Sequence, residues 1–182
     1  MKKDILIQQV KQYIENKSYI NIILKKNMSD VLYCIPIAIS DKLLMVLEFF
    51  DFLPNGYTII KLKDIKKILY DDACEYFECI VKKEGACDII EKVPKISIEN
   101  WKATLLSLKE NDLIIIVDIG KEDCVNVGKV VKATNQNVSM LCLSPTGIWD
   151  ETEWKESSGN LTSVRFLNHY TNTYTKYSTG GA

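Results

Sequence analysis

A strand pattern that occurs twice, once in each half, constrains this chain more than any other feature. In the first half the apolar run Leu43-Leu44-Met45-Val46-Leu47-Glu48-Phe49-Phe50 leads into Asp51-Phe52-Leu53-Pro54-Asn55-Gly56-Tyr57 and then Asp64-Ile65-Lys66-Lys67-Ile68. In the second half Val138-Ser139-Met140-Leu141-Cys142-Leu143 leads into Ser144-Pro145-Thr146-Gly147-Ile148-Trp149 and then Asn160-Leu161-Thr162-Ser163-Val164. Each copy reads as strand, Pro- and Gly-containing turn, strand and a short closing strand, the pattern of a small antiparallel barrel. A period of this kind points to a repeated β module.

The stretches around the repeat change period. Residues 4–16 place Leu6, Val10, Tyr13 and Ile14 on one face with polar residues elsewhere, predicting an amphipathic helix with Asp4 as its N-cap. From Tyr19 to Leu69 the pattern is β, with its strongest turn expected at Pro54-Asn55-Gly56. Ala73, Tyr76, Phe77 and Ile80 return to helical spacing, with Asp71/Asp72 at the cap and Gly85 as a stop. A further helix is predicted from Ser97, its cap, to Lys109. The second β stretch runs from Leu113 to Asn168, with residues 149–154 read as a loop.

The organisation expected is therefore a mainly β chain with helices (α+β), two small barrels joined by a helical connector. Its segments are an N-terminal helix (1–18), a first module (19–70), the connector (71–110), a second module (111–177) and a disordered tail (178–182).

Composition excludes several chemistries. Net charge is −1, and Arg165 is the only arginine, so bidentate guanidinium contacts to phosphate or guanine are nearly unavailable. Residues 1–70 are mildly basic and the remainder mildly acidic. Six cysteines at irregular spacings, with no Cys-x-x-Cys, read as free thiols without a structural metal, in a reducing cytoplasmic compartment. No apolar stretch approaches 18 residues and the N-terminus lacks a signal-like apolar run, so neither a membrane span nor export is expected.

No catalytic constellation emerges. His169 is the only histidine, and no nucleophile elbow or orienting carboxylate lies near it in sequence. Gly120-Lys121 and Gly128-Lys129 do not meet the spacing of a phosphate loop, and no dinucleotide fingerprint occurs. Neither a catalytic residue nor a cofactor is expected.

Two candidate binding features stand out. Lys61, Lys63, Lys66 and Lys67, with Tyr57 as a stacking ring, could track a single nucleic-acid strand, although lysines on an outer strand also guard an edge against aggregation. Trp149 and Trp154 flank Asp150-Glu151-Thr152-Glu153, where tryptophans and acids together could hold a sugar or a cation.

The segment from Ile39 to Val46, followed by Asp51 to Ile65, resembles a group of uncharacterised bacterial proteins with tandem small barrels of the Sm-like or SH3-like kind. Gly147-Ile148-Trp149-Asp150-Glu151, Leu161 to Phe166 and His169-Tyr170 carry the same resemblance. It spans most of residues 20–175 and implies architecture, with no catalytic residue to carry over. Sm-like RNA binders use a late Arg-Gly segment, and this chain has no Arg-Gly dipeptide. The function expected is therefore a non-enzymatic binding protein with a protein partner, the alternative being single-stranded RNA or other nucleic acid.

Overall fold

A computed structural model describes residues 3–25, 31–120 and 125–178. It divides into two units, residues 1–94 and 95–182. In the first, α1 (Lys3–Asn16) precedes β1 (Ile20–Leu24), β2 (Val31–Ile39), β3 (Leu43–Phe50) and β4 (Leu53–Lys61). A one-turn 3-10 helix (Leu62–Asp64), β5 (Ile65–Leu69), α2 (Asp72–Lys83) and α3 (Ala86–Glu91) complete it. In the second, α4 (Trp101–Glu110) precedes β6 (Ile115–Ile119), β7 (Val125–Ala133), β8 (Asn137–Leu143), β9 (Trp149–Ser157), β10 (Leu161–Phe166) and α5 (His169–Tyr177).

Two closed barrels and a separate helical connector are not what forms. The ten strands count as one open antiparallel sheet, accompanied by five α-helices among the described residues. Within the first unit the strand order is β5-β1-β2-β3-β4, and within the second it is β10-β6-β7-β8-β9. In each, the fourth and fifth strands therefore stand at opposite ends of the ladder, where closure would have paired them. The physical reason lies in what covers the sheet. Leu6 and Val10 of α1 bury against Ile20, Ile22, Cys34, Leu44, Val46 and Ile60, so a helix covers the apolar face and the sheet need not curl onto itself. The helices of 71–110 also do not bridge as one body, because α2 and α3 belong to the first unit and α4 to the second.

The two ladders run in the same register. In the first unit Ile20, Asn21, Ile22 and Ile23 face Cys34, Tyr33, Leu32 and Val31. In the second, Ile115, Ile116, Val117 and Asp118 face Gly128, Val127, Asn126 and Val125. The β2–β3 ladder skips Ile37 between Pro36↔Val46 and Ala38↔Met45. The β7–β8 ladder skips Val131 between Val130↔Met140 and Lys132↔Ser139, the same bulge 94 residues on. The β1–β5 and β6–β10 ladders match likewise, Ile22↔Ile68 corresponding to Val117↔Val164. Since a slip of one residue would turn every side chain to the other face, one register conserves one pattern of burial.

Helix ends repeat too. Ser18 N–H donates to Tyr13 O at 2.9 Å with Lys17 at φ 49°, and Leu113 N–H donates to Leu108 O at 3.2 Å with Asp112 at φ 52°. Both α1 and α4 thus end in a left-handed cap of the Schellman type without the usual glycine. The other caps are partly as the sequence indicates. Asp71 accepts from Cys74 N–H at 3.0 Å, but α4 is capped by Asn100 rather than Ser97, and Gly85 at φ 88° both stops α2 and opens α3.

Three local expectations are corrected. Pro54-Asn55-Gly56 is not the turn: the β3–β4 hairpin turns at Asp51-Phe52, and Asn55 and Gly56 form a bulge in β4 opposite Glu48. Gly56 at φ 76° supplies the left-handed step such a bulge requires. Residues 149–154 form strand β9, not a loop, and residues 169–177, placed within the second β module, form helix α5. The expected tail falls on Ser178, which caps α5, and on residues 179–182, which lie outside the described residues.

Helix α5 depends on its cap. Buried Asn168 accepts from Thr171 N–H at 2.8 Å through Oδ1, and Thr171 Oγ1 donates back to Asn168 O at 3.2 Å. Asn168→Ala is expected to cost about 1 to 2 kcal/mol, read from chemical denaturation, because it orphans a buried N–H. Asn168→Asp, which keeps the acceptor, should retain most of that stability.

Candidate functional site

The β3–β4 hairpin of the first unit carries the two most exposed large apolar side chains among the described residues. Strand alternation sends Phe49 into the core against Tyr19, at a ring separation of 5.5 Å, and its neighbour Phe50 outward. Phe50 pairs across the hairpin with Leu53, and both are 72% exposed. At the turn Asp51 takes φ 54°, a conformation aspartate tolerates better than most residues. This tight turn brings Phe52 onto Phe77 of α2, stacked at 4.8 Å, and Phe77 meets the exposed Tyr76 edge-on at 6.3 Å. Because Phe52 is fixed by α2, the tip is held in place while Phe50 and Leu53 remain open to solvent.

The lysine strip does not assemble as a stacking groove. Tyr57 is only 5% exposed, and its hydroxyl donates to Ile89 O at 3.0 Å, so its ring cannot receive a base. Burial raises its phenol above the ordinary range. Lys61 is 9% exposed and likewise turns away from solvent. Lys63, Lys66 and Lys67 are exposed, the last two on β5, which ends the first unit's ladder. That placement fits the protection of an edge strand. Arg165 is engaged as well, since it donates to Asp118 Oδ1 at 2.8 Å while Ser163 Oγ donates to Asp118 Oδ2.

Trp149 and Trp154 share β9 but not one pocket. Trp149 packs on Ile114, Ile116, Val127 and Leu143, with Lys129 Nζ 6.0 Å from its ring centre. Trp154 faces Met140 further along the strand and is half-buried. Between them Asp150, Glu151 and Thr152 bulge outward opposite Cys142.

His169 is the first residue of α5, exposed, and among the described residues its ring meets no nucleophile and no carboxylate. No group of three or more His, Cys, Asp or Glu able to hold a metal occurs among the described residues. Cys34, Cys74, Cys79, Cys87 and Cys142 are free thiols, and Cys124 lies outside the described residues. Among the described residues no helix is long and apolar enough to cross a membrane.

The thiols differ in environment, and two measurements follow. Cys79 is exposed, whereas Cys34, Cys74 and Cys142 are buried. Alkylation of the native protein should modify Cys79 well before Cys34, Cys74 and Cys142 and spare Cys34 until unfolding; rapid native labelling of Cys34 would contradict this packing. Burial, aided by the nearby Asp150 carboxylate, pushes the Cys142 thiol up from 9.0 to about 11. Burial also raises Cys34. A thiol raised in the folded state stabilises fully below its unfolded value and loses that contribution as pH climbs through its folded value. Denaturation midpoints should therefore fall between pH 9 and about 11, and a flat profile there would contradict the burial of Cys142.

Sequence reasoning missed the hairpin tip. The signal was present in Phe49-Phe50-Asp51-Phe52-Leu53, where a turn at Asp51 leaves Phe50 and Leu53 opposite each other beyond the core. Comparison with known proteins found no matching family model, no matching curated protein and no matching solved structure.

Proposed function

We propose that this chain is a non-enzymatic binding protein that docks protein partners in the cytoplasm. The observation that carries the reading is the Phe50/Leu53 pair, two large apolar side chains each 72% exposed on a hairpin anchored by Phe52 against α2. A rigid apolar tip of this kind is what a protein partner can desolvate with little loss of conformational freedom. Covering both side chains is worth on the order of 3 kcal/mol, about a hundredfold in affinity. The ring assigned to stack nucleic-acid bases, Tyr57, lies in the core.

Affinity capture from a cytoplasmic extract at low salt, with and without nuclease, tests the reading. Protein partners should survive nuclease and be lost with Phe50→Asp/Leu53→Asp while those variants keep the wild-type circular dichroism. Recovery of RNA that disappears with Lys63→Ala/Lys66→Ala/Lys67→Ala, and not with the hairpin change, would sink it in favour of nucleic-acid binding.

A further inference from the structure

Strand β9 ends the second unit's ladder. It spans nine residues from Trp149 to Ser157 and pairs with β8 on one side, with no ladder on its other side among the described residues. Edge strands present a row of backbone donors and acceptors to any chain that arrives extended, and proteins blunt them with lysine, proline, bulges or short length. β9 is proline-free, its regular ladder runs from Glu153 to Ser157 beyond the bulge at Asp150–Thr152, and Lys155 is its one lysine against the acids Asp150, Glu151, Glu153 and Glu156. Glu153 is exposed within that ladder and Asp150 and Glu151 are exposed on the bulge at its end, so carboxylates line the edge. The half-buried ring of Trp154 lies beside Glu153 and offers an apolar surface along the same edge.

We propose that β9 is a strand-addition site for an extended, basic segment of a partner protein. Backbone hydrogen bonds along the edge would supply affinity, the carboxylates would select lysine or arginine, and Trp154 would receive an apolar side chain between them. Paired backbone distinguishes this from simple charge attraction, since proline cannot donate to a ladder. The proposal rests on the reading of the chain as a protein-binding protein and names one partner chemistry for it.

The probe is a capped eight-residue peptide alternating Lys and Val, titrated into the isotopically labelled protein at low salt. Amide shifts should concentrate on residues 153–157, and affinity should fall at least tenfold when a central Val of the peptide becomes Pro. A similar loss is expected for Glu151→Lys/Glu153→Lys, whose fold is checked by its unperturbed amide spectrum elsewhere. The proposal is overturned if the Lys-Val peptide leaves β9 unmoved at millimolar concentration, if a Glu-Val peptide binds as well, or if the proline-bearing peptide binds unchanged. Light scattering of the protein alone provides another arm: a self-assembled species abolished by Glu151→Lys/Glu153→Lys would give the edge to a second copy and exclude a foreign segment. Failure here with persistence of the hairpin-dependent capture would remove the strand site and leave the wider reading standing.

Discussion

Gly128→Ala is expected to cost more stability than the same change at Gly85, Gly147 or Gly159. Gly128 sits on β7 facing Cys142 of β8, and a Cβ built there would lie 2.1 Å from Leu141 O and 2.8 Å from Cys142 Cα. Both obstructing atoms are main chain of the adjacent strand, so no rotamer change relieves the clash and the ladder itself must part. Overpacking in a core costs about 1 to 3 kcal/mol, and this case falls at or above the upper end. For a unit of this size, thermal unfolding should drop by more than about 10 °C. A variant melting within a degree or two of wild type would show that β7 and β8 do not approach as described. The corresponding position in the first unit is Cys34, facing Glu48, where a side chain is accommodated.

Leu44→Ala is the second change of large effect. Leu44 is fully buried on the interior strand β3, in the cluster that joins β1, β2 and β4 to Leu6 and Val10 of α1. Truncation removes buried methyl groups and leaves a cavity between sheet and helix, at a cost of about 2 to 5 kcal/mol. In urea the midpoint should move while the slope stays constant, since the surface exposed on unfolding barely changes. The exposed Leu53→Ala is the control: it should shift the midpoint by less than about 0.5 kcal/mol. Equal losses at the two leucines would contradict the assignment of one to the core and the other to the exposed hairpin tip.

Much of the secondary structure was legible because burial leaves a period behind. The apolar runs Val31–Ile39 and Leu43–Phe50 and the three-to-four spacing of Leu6, Val10, Tyr13 and Ile14 translate directly into β2, β3 and α1. What such runs do not encode is closure. They mark each strand without saying whether the last one meets the fourth or, as here, the first. The acid-rich β9 escaped because a strand exposed along most of its length shows no apolar alternation to read. Tyr57 was misplaced for a related reason: an aromatic next to a bulge glycine looks like a loop ring, yet the bulge turns it under the sheet toward Ile89. At the hairpin the Pro-Asn-Gly sequence drew the turn away from Asp51-Phe52, hiding the very pair, Phe50 and Leu53, on which the functional reading depends.

The central claim is that the two units share one ladder register, each open between its fourth and fifth strands. Nuclear Overhauser contacts across the strands test it most directly. The account predicts contacts for Ile22 with Ile68 and Val117 with Val164, and the same skipped positions at Ile37 and Val131. Pairing displaced by one residue in either unit, or a regular ladder between β4 and β5, would contradict it.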